Sequence, residues 1–422
     1  MLTKNLPSKF FRTLSTFGAL FLILTLSSAY GTAANKTKIL FQFTGSDGSD
    51  PFAGPTLDAA GNIYGTTVYL DGTDGAGTVF KLTQNSDGSW TETVLTDFSA
   101  GGENPSAPVI FDTAGNLYGT TTFGGEFGVG TVFELSPNLD GSWTETVLHN
   151  FTGADGAYPD NGPLVFDSAG NLYGTTFYQA GVGNVFELSP NLDGSWTESS
   201  LYTFCSLPGC ADGVQPAGGL ILDKAGNLYG MTPAGGATSC IGDQGDGCGV
   251  VFELSPQSNG TWKQTVLHAF SGGGNDGSYP ASDLVFDKAG NLYGTTNDGG
   301  TVSCNCGTVF ELTPNSDGSW TESILHRFTT HGPSVPSGTP VFDSAGNLYG
   351  GGFHGGPAGA GGVFKLAPKS GGGWTYSVLH VFLGKPLTGP AGGLAIDKSG
   401  NLFGTDGCGS GACQGTVFEI TP

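Results

Sequence analysis

Short apolar runs alternate with polar turns along the chain, and both follow one repeated pattern. In the third copy, the run Pro163-Leu-Val-Phe166 leads into Asp167 and Gly170, and a second apolar run follows at 171–176. Asp opens such turns by accepting hydrogen bonds from nearby backbone N–H groups, and Gly adopts a positive φ without steric cost. The flanking runs are rich in residues that favour strands. The pattern therefore predicts a β-hairpin with a tight turn.

The hairpin motif Asp-x-Ala-Gly-Asn-Leu-Tyr-Gly occurs seven times, with Ile replacing Leu in the first copy and Ser and Phe replacing Ala and Tyr in the last. Its turn glycine falls at Gly61, Gly115, Gly170, Gly226, Gly290, Gly346 and Gly400. Each period holds four strand-like runs, which in the second copy lie at 108–111, 116–122, 130–135 and 143–151. No helical periodicity is found after residue 34. Seven units of four strands predict an all-β, seven-bladed β-propeller with antiparallel blades.

The two ends of the chain predict how the ring closes. The seventh unit has strands A to C and then ends at Pro422, without a strand D. The segment 37–43 resembles the end of strand D in other units, so it should complete the last blade beside 416–420. This closure leaves no open sheet edge, which an open β-solenoid, the alternative architecture, does not explain. The expected divisions are a signal peptide at 1–34 and a propeller at 35–422, with blades at about 51–98, 105–151, 159–204, 216–270, 280–328, 336–382 and 390–420 plus 37–43.

The N-terminus has the pattern of a secretory signal. Three basic residues precede an apolar stretch at 14–26, and small residues follow, with cleavage expected after Ala29 or near Ala34. The alternative is an uncleaved anchor, although a spanning helix needs about 20 apolar residues. We therefore expect a secreted protein, extracellular or periplasmic, with no membrane span once the signal is removed.

Composition limits the partners. The 422 residues include 14 basic and 36 acidic side chains, for a net charge of −22, which argues against binding to nucleic acid or anionic lipid. The 75 glycines accompany 37% hydrophobic residues, enough for a core, so glycine here reflects frequent turns. We expect a monomer.

Three motifs recur in fixed order over about residues 37–420. They are the Asp-x-Ala-Gly-Asn-Leu-Tyr-Gly-Thr-Thr run, the Gly-Thr-Val-Phe-Glu-Leu run and the Trp-Thr-Glu-Thr-Val-Leu-His-x-Phe run. In these motifs the chain resembles the Gloeobacter/Verrucomicrobia-type (GloVer) tandem repeat, a family of secreted bacterial proteins. The resemblance implies an extracellular repeat protein without an established activity.

Loop variation indicates which face of the ring is functional. The A–B and C–D turns are uniform, whereas the B–C and D–A connections differ, as at 178–183 and 233–249. Binding loops diversify while scaffold turns stay constant, so the B–C/D–A face with the channel mouth should carry the function. The main hypothesis is non-catalytic binding of an extracellular polysaccharide or protein. The alternatives are a lyase or hydrolase at the channel mouth and a structural component of the envelope or matrix.

Catalysis would need acid or base groups outside the repeat. His331 and His354 are not repeated and fall in loops of this face, where Glu126 or Glu103 could assist them. The alternative is that these are ordinary solvated loop histidines. Four other histidines recur in the Leu-His-x-Phe position of strand D, and the six Trp open strand D; their repetition favours structural roles.

Four D–A connections share the pattern Asp-Gly-x-x-Pro. Its carboxylates, with nearby carbonyl groups, could bind Ca²⁺, and turn formation explains the pattern equally well. No other cofactor is expected. The four carboxylates belong to Asp47, Asp155, Asp212 and Asp276.

All eight cysteines lie in loops of the variable face. An even number in a secreted chain favours disulfides, and local pairing suits Cys205–Cys210, Cys240–Cys248 and Cys408–Cys413. Cys304 and Cys306 are too close in sequence for an unstrained bridge, so we expect them to pair with the Cys240/Cys248 loop. A metal site at Cys304 and Cys306 is the alternative, without other ligands at suitable spacing.

Overall fold

Seven four-stranded antiparallel sheets are arranged in a ring, which confirms the predicted seven-bladed β-propeller. The computed structural model describes residues 36–70, 76–98, 102–159, 162–236, 240, 247–280, 282–384, 389–407 and 414–422. Strands A to D follow one another from the axis outward in each blade. Over these residues the only helical element is a single 3-10 turn at Pro208–Cys210, and no helix is long and apolar enough to cross a membrane.

The strands have nearly the same lengths in every blade, and β1 spans Lys36–Gln42. Blade 1 contains β2 (Thr56–Leu57), β3 (Ile63–Thr67), β4 (Thr78–Gln84) and β5 (Trp90–Asp97). Blade 2 contains β7 (Ile110–Phe111), β8 (Leu117–Thr121), β10 (Thr131–Pro137) and β11 (Trp143–Asn150), with the short β6 (Gly102–Glu103) and β9 (Phe123–Gly124) pairing in its loops. Blade 3 contains β12 (Val165–Phe166), β13 (Leu172–Thr176), β14 (Asn184–Pro190) and β15 (Trp196–Thr203).

The remaining blades repeat the plan. Blade 4 contains β16 (Ile221–Leu222), β17 (Leu228–Thr232), β18 (Val250–Pro256) and β19 (Trp262–Ala269). Blade 5 contains β21 (Val285–Phe286), β22 (Leu292–Thr296), β24 (Thr308–Pro314) and β25 (Trp320–Arg327), with β20 (Gly277–Ser278) and β23 (Asp298–Gly299) pairing in its loops. Blade 6 contains β26 (Pro333–Phe342), β27 (Leu348–Gly355), β28 (Gly362–Pro368) and β29 (Trp374–Val381). Blade 7 contains β30 (Ala395–Ile396), β31 (Leu402–Asp406) and β32 (Thr416–Thr421).

The N-terminal strand closes the last blade, as the chain ends predicted. Blade 7 has the order β1, β32, β31, β30. The strands β1 and β32 run antiparallel, with Lys36 opposite Thr421 and Gln42 opposite Thr416. Head and tail of the propeller therefore share one sheet, and the backbone hydrogen bonds of β32 are made on both sides.

The Asp and Gly of the repeat form the predicted A–B turn. In blade 3, Asp167 accepts hydrogen bonds from the backbone N–H groups of Ala169 and Asn171, at 2.8 and 2.9 Å. Its other oxygen accepts from the side chains of Asn171 and Tyr173. Gly170 has a φ of 90°, where a side chain would be strained. These hydrogen bonds lower the pKa of Asp167, although burial opposes them.

The apolar core lies between neighbouring blades. Seven Phe residues of strand C are completely buried, at Phe80, Phe133, Phe186, Phe252, Phe310, Phe364 and Phe418. A Cβ on Gly119 would lie 2.6 Å from the Phe133 ring, which explains the glycine in the Leu-Tyr-Gly run. Trp196 packs edge-on against Tyr118 of the preceding blade, at 6.4 Å between ring centroids. The repeated aromatic residues therefore hold blade to blade, as their repetition predicted.

A β-bulge interrupts the pairing of strands C and D in each blade. In blade 2, Val132 pairs with His149 and the next residue, Phe133, pairs with Val147, so that Leu148 is extra. Bulges bend a strand and change the direction of the following side chains. The alternating burial of strand D accordingly stops at Val147, and the three residues after it are all half-buried.

Candidate functional site

A ring of left-handed residues surrounds the axis on the variable face. In every blade a residue between the end of strand D and the A–B turn is followed by Pro and has a positive φ; in blade 6 this residue lies within β26. They are Asp50, Asn104, Tyr158, Gln215, Tyr279 and Val335, with φ between 52° and 58°, and Gly389 with φ 119°. This conformation costs a residue with a Cβ about 1–2 kcal/mol. Strain repeated at one position is typical of a site where the surrounding structure fixes the backbone.

Hydrogen bonds between blades fix these residues. The N–H of Tyr158 in blade 3 donates to the carbonyl of Val129 in the B–C loop of blade 2, at 2.8 Å. The carbonyl of Tyr158 accepts the N–H of Phe177, at 3.0 Å. The same pattern links Tyr279 to Cys248 and to Asn297. These hydrogen bonds tie D–A loops to B–C loops of the preceding blade, and side chains of five types are presented from one repeated backbone position.

A cavity of about 320 Å³ lies at the centre of this face, lined by residues from all seven blades. Phe52, Phe177, Tyr279 and Asn297 come from the variable loops or directly follow strand B. Most of the other lining residues come from the segments just before the A strands. The segments of neighbouring blades approach each other closely here, as shown by Gly392, on which a Cβ would lie 2.2 Å from the backbone N of Gly54. The cavity combines aromatic walls with a few polar groups, as small-molecule sites do.

Asp283 is the only carboxylic acid among the described residues that line the cavity. It is buried, and it accepts hydrogen bonds from the backbone N–H of Gly219 at 2.6 Å and from the hydroxyl of Thr339. Burial raises the pKa of Asp283. The corresponding residues of the other blades, four positions before the turn Asp, are Gly54, Pro108, Pro163, Gly219, Thr339 and Gly393. Sequence reasoning missed Asp283, although comparing the repeats at this position would have found it.

Four aromatic rings form a continuous strip from blade 2 to the cavity. The ring centroids of Phe123 and Tyr158 are 5.3 Å apart, and those of Tyr158 and Tyr178 are 5.7 Å apart. Tyr178 contacts Phe177 at 5.0 Å, and Phe177 lines the cavity. Phe123 is 43% exposed and Tyr178 is 38% exposed. Phe123, Tyr158, Phe177 and Tyr178 are called the aromatic strip below.

The predicted catalytic residues lie outside the cavity lining. His331 and His354 are both exposed on blade 6, where His354 pairs with Ser334 across β26 and β27. Glu126 is exposed in the B–C loop of blade 2, and its N–H donates to the side chain of Asn150. Blades 2 and 6 are not neighbours in the ring. The structure therefore places the two histidines on one hairpin and Glu126 elsewhere, and their catalytic role stays a prediction.

The four candidate calcium carboxylates all take part in loop hydrogen bonds. Asp47 and Asp155 accept the backbone N–H of Thr44 and Thr152, at 2.7 and 2.8 Å. Asp212 accepts from Tyr202 and from two N–H groups, and Asp276 accepts from the N–H and hydroxyl of Ser271. These hydrogen bonds are those expected if the Asp of the Asp-Gly-x-x-Pro pattern serves to form the turn. Calcium at these positions stays a prediction.

Three disulfides are formed within loops of the variable face. Cys205–Cys210 and Cys240–Cys248 confirm the local pairing. Cys304 is bonded to Cys306, so the expected pairing with the Cys240/Cys248 loop was wrong. The intervening Asn305 has a φ of 52°, and this turn brings both cysteines to one side with their Cα atoms 5.2 Å apart. Such a Cα separation is ordinary for a disulfide. Cys408, Cys413 and the predicted signal peptide lie outside the described residues.

Comparison with known families identifies the repeat. The model of the Gloeobacter/Verrucomicrobia repeat matches three overlapping segments, 25–243, 147–337 and 241–422. The chain belongs to the Gloeobacter/Verrucomicrobia repeat family. No curated protein matches the sequence. Membership of this repeat family agrees with the tandem repetition of the blades.

Proposed function

We propose that this member of the repeat family is a secreted, non-catalytic propeller whose B–C/D–A face binds an extracellular polysaccharide. The observation that carries the proposal is the aromatic strip, which leads from the exposed ring of Phe123 to the cavity wall at Phe177. Flat aromatic rings offer large contact area at low entropic cost, and neighbouring polar groups can fix the orientation of a ligand.

The polar groups beside the strip suit a neutral or weakly charged sugar chain. The cavity wall includes Ser106, Asn297 and Thr339, which can exchange hydrogen bonds with hydroxyl groups. The net charge of −22 would repel a strongly acidic polymer at low ionic strength. A protein ligand is the other possibility for such a face, and the test below separates the two.

The backbone of the face is held rigidly before any ligand arrives. Asp50, Tyr158 and Tyr279 are each fixed by backbone hydrogen bonds to two segments, and three disulfides close loops of the same face. A preformed surface avoids the entropic cost of ordering on binding. Disulfides also fit an oxidising compartment, which supports secretion.

The test is binding of the purified mature chain to a glycan array, followed by titration of any polysaccharide that binds. The double variant F123A/Y178A should weaken binding by roughly 10-fold or more, because an exposed aromatic anchor contributes more than about 1.4 kcal/mol. The matched control is L139A/L192A, which removes two fully exposed side chains from the C–D turns of the opposite face and should leave affinity unchanged.

Three results would count against the proposal. Absence of binding across the array would remove polysaccharide as the ligand. Equal affinity of the F123A/Y178A variant and the native chain would place the ligand elsewhere on the molecule. Release of new sugar ends during incubation would show catalysis, and substitution of Asp283 by Asn would then test the one carboxylic acid of the described cavity lining.

A further inference from the structure

Between each pair of neighbouring blades, side chains of the two D strands and the following loop meet in the same place. The contributors are the residue in the His position of strand D, the Asp of the D–A loop, and the residue two positions after Trp in the next strand D. Between blades 4 and 5 these three are His268, Asp276 and Glu322. Each offers one ligand atom, and the three atoms lie within 4.8 Å of one another.

The imidazole Nε2 of His268 is too far from either carboxylate for a normal hydrogen bond. Nε2 of His268 lies 3.6 Å from Oδ1 of Asp276 and 3.8 Å from Oε1 of Glu322. Hydrogen bonds of N–H to oxygen are normally 2.7–3.2 Å long. Nε2 of His268 and Oε1 of Glu322 are nevertheless buried, and neither has a hydrogen-bond partner in the described part of the chain. Burying polar atoms without hydrogen-bond partners costs free energy, so these two atoms need an explanation.

At the other blade interfaces side chains in these positions make direct contacts, although Oε1 of Glu92 and Oε1 of Glu198, like that of Glu322, are buried without a hydrogen-bond partner among the described residues. Thr96 donates to Glu145 at 2.8 Å, Tyr202 donates to Asp212 at 2.6 Å, and Thr37 bonds to His380 at 2.9 Å. His326 stacks on Tyr376, with 3.7 Å between ring centroids. His149 bonds to Asp155 at 3.2 Å, and the carboxylate of Glu198 lies in the third position. Among the described interfaces, only that of blades 4 and 5 brings three possible metal ligands together.

We propose that His268, Asp276 and Glu322 bind a divalent transition-metal ion, for which Zn²⁺ is the model, between blades 4 and 5. An ion held 2.0–2.2 Å from nitrogen and oxygen ligands in tetrahedral geometry separates those ligands by about 3.3–3.5 Å. The observed 3.6 and 3.8 Å need a contraction of only a few tenths of an ångström. A mixed imidazole and carboxylate set favours zinc or a neighbouring metal over Ca²⁺ or Mg²⁺.

The surrounding residues hold the ligands in place. Asp276 accepts the N–H and hydroxyl of Ser271 through one oxygen, and the N–H of Gly277 through the other. The imidazole of His268 packs edge-on against Phe270, at 4.7 Å between centroids. These contacts orient two ligands from one blade towards Glu322 of the next, as outer-shell residues do in metal sites. Three protein ligands leave a fourth position open to water or an external group.

The experiment is calorimetric titration of Zn²⁺ into the full mature chain after treatment with a chelator. The native protein should bind one equivalent, and Glu322→Gln should lower the affinity by more than roughly 10-fold, the lower bound for residues that only support a ligand. Gln264 occupies this position in blade 4, so the fold accepts Gln there. His268→Gln should have the same effect, and Zn²⁺ should raise the melting temperature of the native chain but not of these two variants.

Glu198→Gln is the matched control, because Glu198 has the same position between blades 2 and 3 without three converging ligands. It should retain the full affinity for Zn²⁺. Absence of a stoichiometric site in the native chain would overturn the proposal. So would equal Zn²⁺ affinities of the native chain and a folded Glu322→Gln variant, whatever the behaviour of His268→Gln.

Discussion

The two faces of the ring are built from the same repeat and obey different constraints. On the face with A–B and C–D turns, positive φ angles belong to glycines. The Asp of each turn accepts a backbone hydrogen bond from the residue two positions later, and in the A–B turns also from the residue four positions later. On the face with B–C and D–A loops lie all ten described non-glycine residues with positive φ. Local hydrogen bonds determine the first face, whereas contacts between blades determine the second.

This difference explains why one face can vary. A turn that depends on its own Asp, Gly and Asn cannot change those residues without losing its shape. A loop whose backbone is held by a neighbouring blade can change its side chains, because Tyr158, Gln215 and Val335 all adopt one conformation. Variation is therefore concentrated at positions around the cavity, where different residues can contact a ligand.

The largest expected effect comes from breaking a turn of the uniform face. Asp167→Ala removes a carboxylate that accepts four hydrogen bonds, and it should reduce the free energy of unfolding by roughly 2–3 kcal/mol at pH 7. The pKa of Asp167 is lowered in the folded state. The difference in stability between the native chain and the variant should therefore shrink as pH falls through this folded-state pKa. Urea unfolding at pH 7 and at pH 3 measures both effects. Glycan affinity should be unchanged, and a loss of affinity would contradict the separation of the faces.

The variable face should respond in the opposite way to added flexibility. At Val335, whose φ is 52°, the Gly variant should be more stable than the Ala variant by roughly 1 kcal/mol, because only Gly avoids the strain. The same two substitutions at Val147, in the extended strand β11, serve as the control. There the Gly variant should be less stable than the Ala variant by about 0.5–1 kcal/mol. Thermal unfolding of the four variants provides the comparison. The same sign at both positions would mean that Val335 is not strained.

The smallest effect concerns a carboxylate between blades 2 and 3. Burial, with the charge of Asp155 nearby, raises the pKa of Glu198 from 4.5 to about 7. The folded state favours protonated Glu198, so the contribution of Glu198 to stability is complete below pH 4.5 and is lost as pH rises through 7. The side chain introduced by Glu198→Gln is neutral at every pH. The stability of this variant relative to the native chain should therefore rise by roughly 1 kcal/mol between pH 5 and pH 8, a figure already reduced because the position is half-exposed.

Urea unfolding of both proteins at the two pH values tests this expectation. The neighbouring residues Asp155 and His149 are retained in the variant, so the two proteins differ in one titratable side chain. A difference between the proteins that does not change with pH would show that Glu198 titrates normally. The same comparison on Glu322→Gln would have to be made with and without Zn²⁺.

The sequence by itself determined the number of blades, their four strands, the A–B turns and the closure by β1. These features repeat, and each depends on residues a few positions apart or on a shared strand pattern, such as Asp167 with Asn171. Phe133 and Gly119 could be assigned to the core for the same reason, because every blade repeats them.

Only the tertiary structure decided which residues share a site. The left-handed residues before Pro, the bulge at Leu148, the Cys304–Cys306 disulfide and the environment of Asp283 are not visible in the periodic pattern. The left-handed residues and Asp283 depend on backbone atoms of a neighbouring blade, as when Gly219 donates to Asp283, 64 residues away in the chain. Repeats predict what each blade must have in common, whereas function depends on how unlike residues of different blades meet.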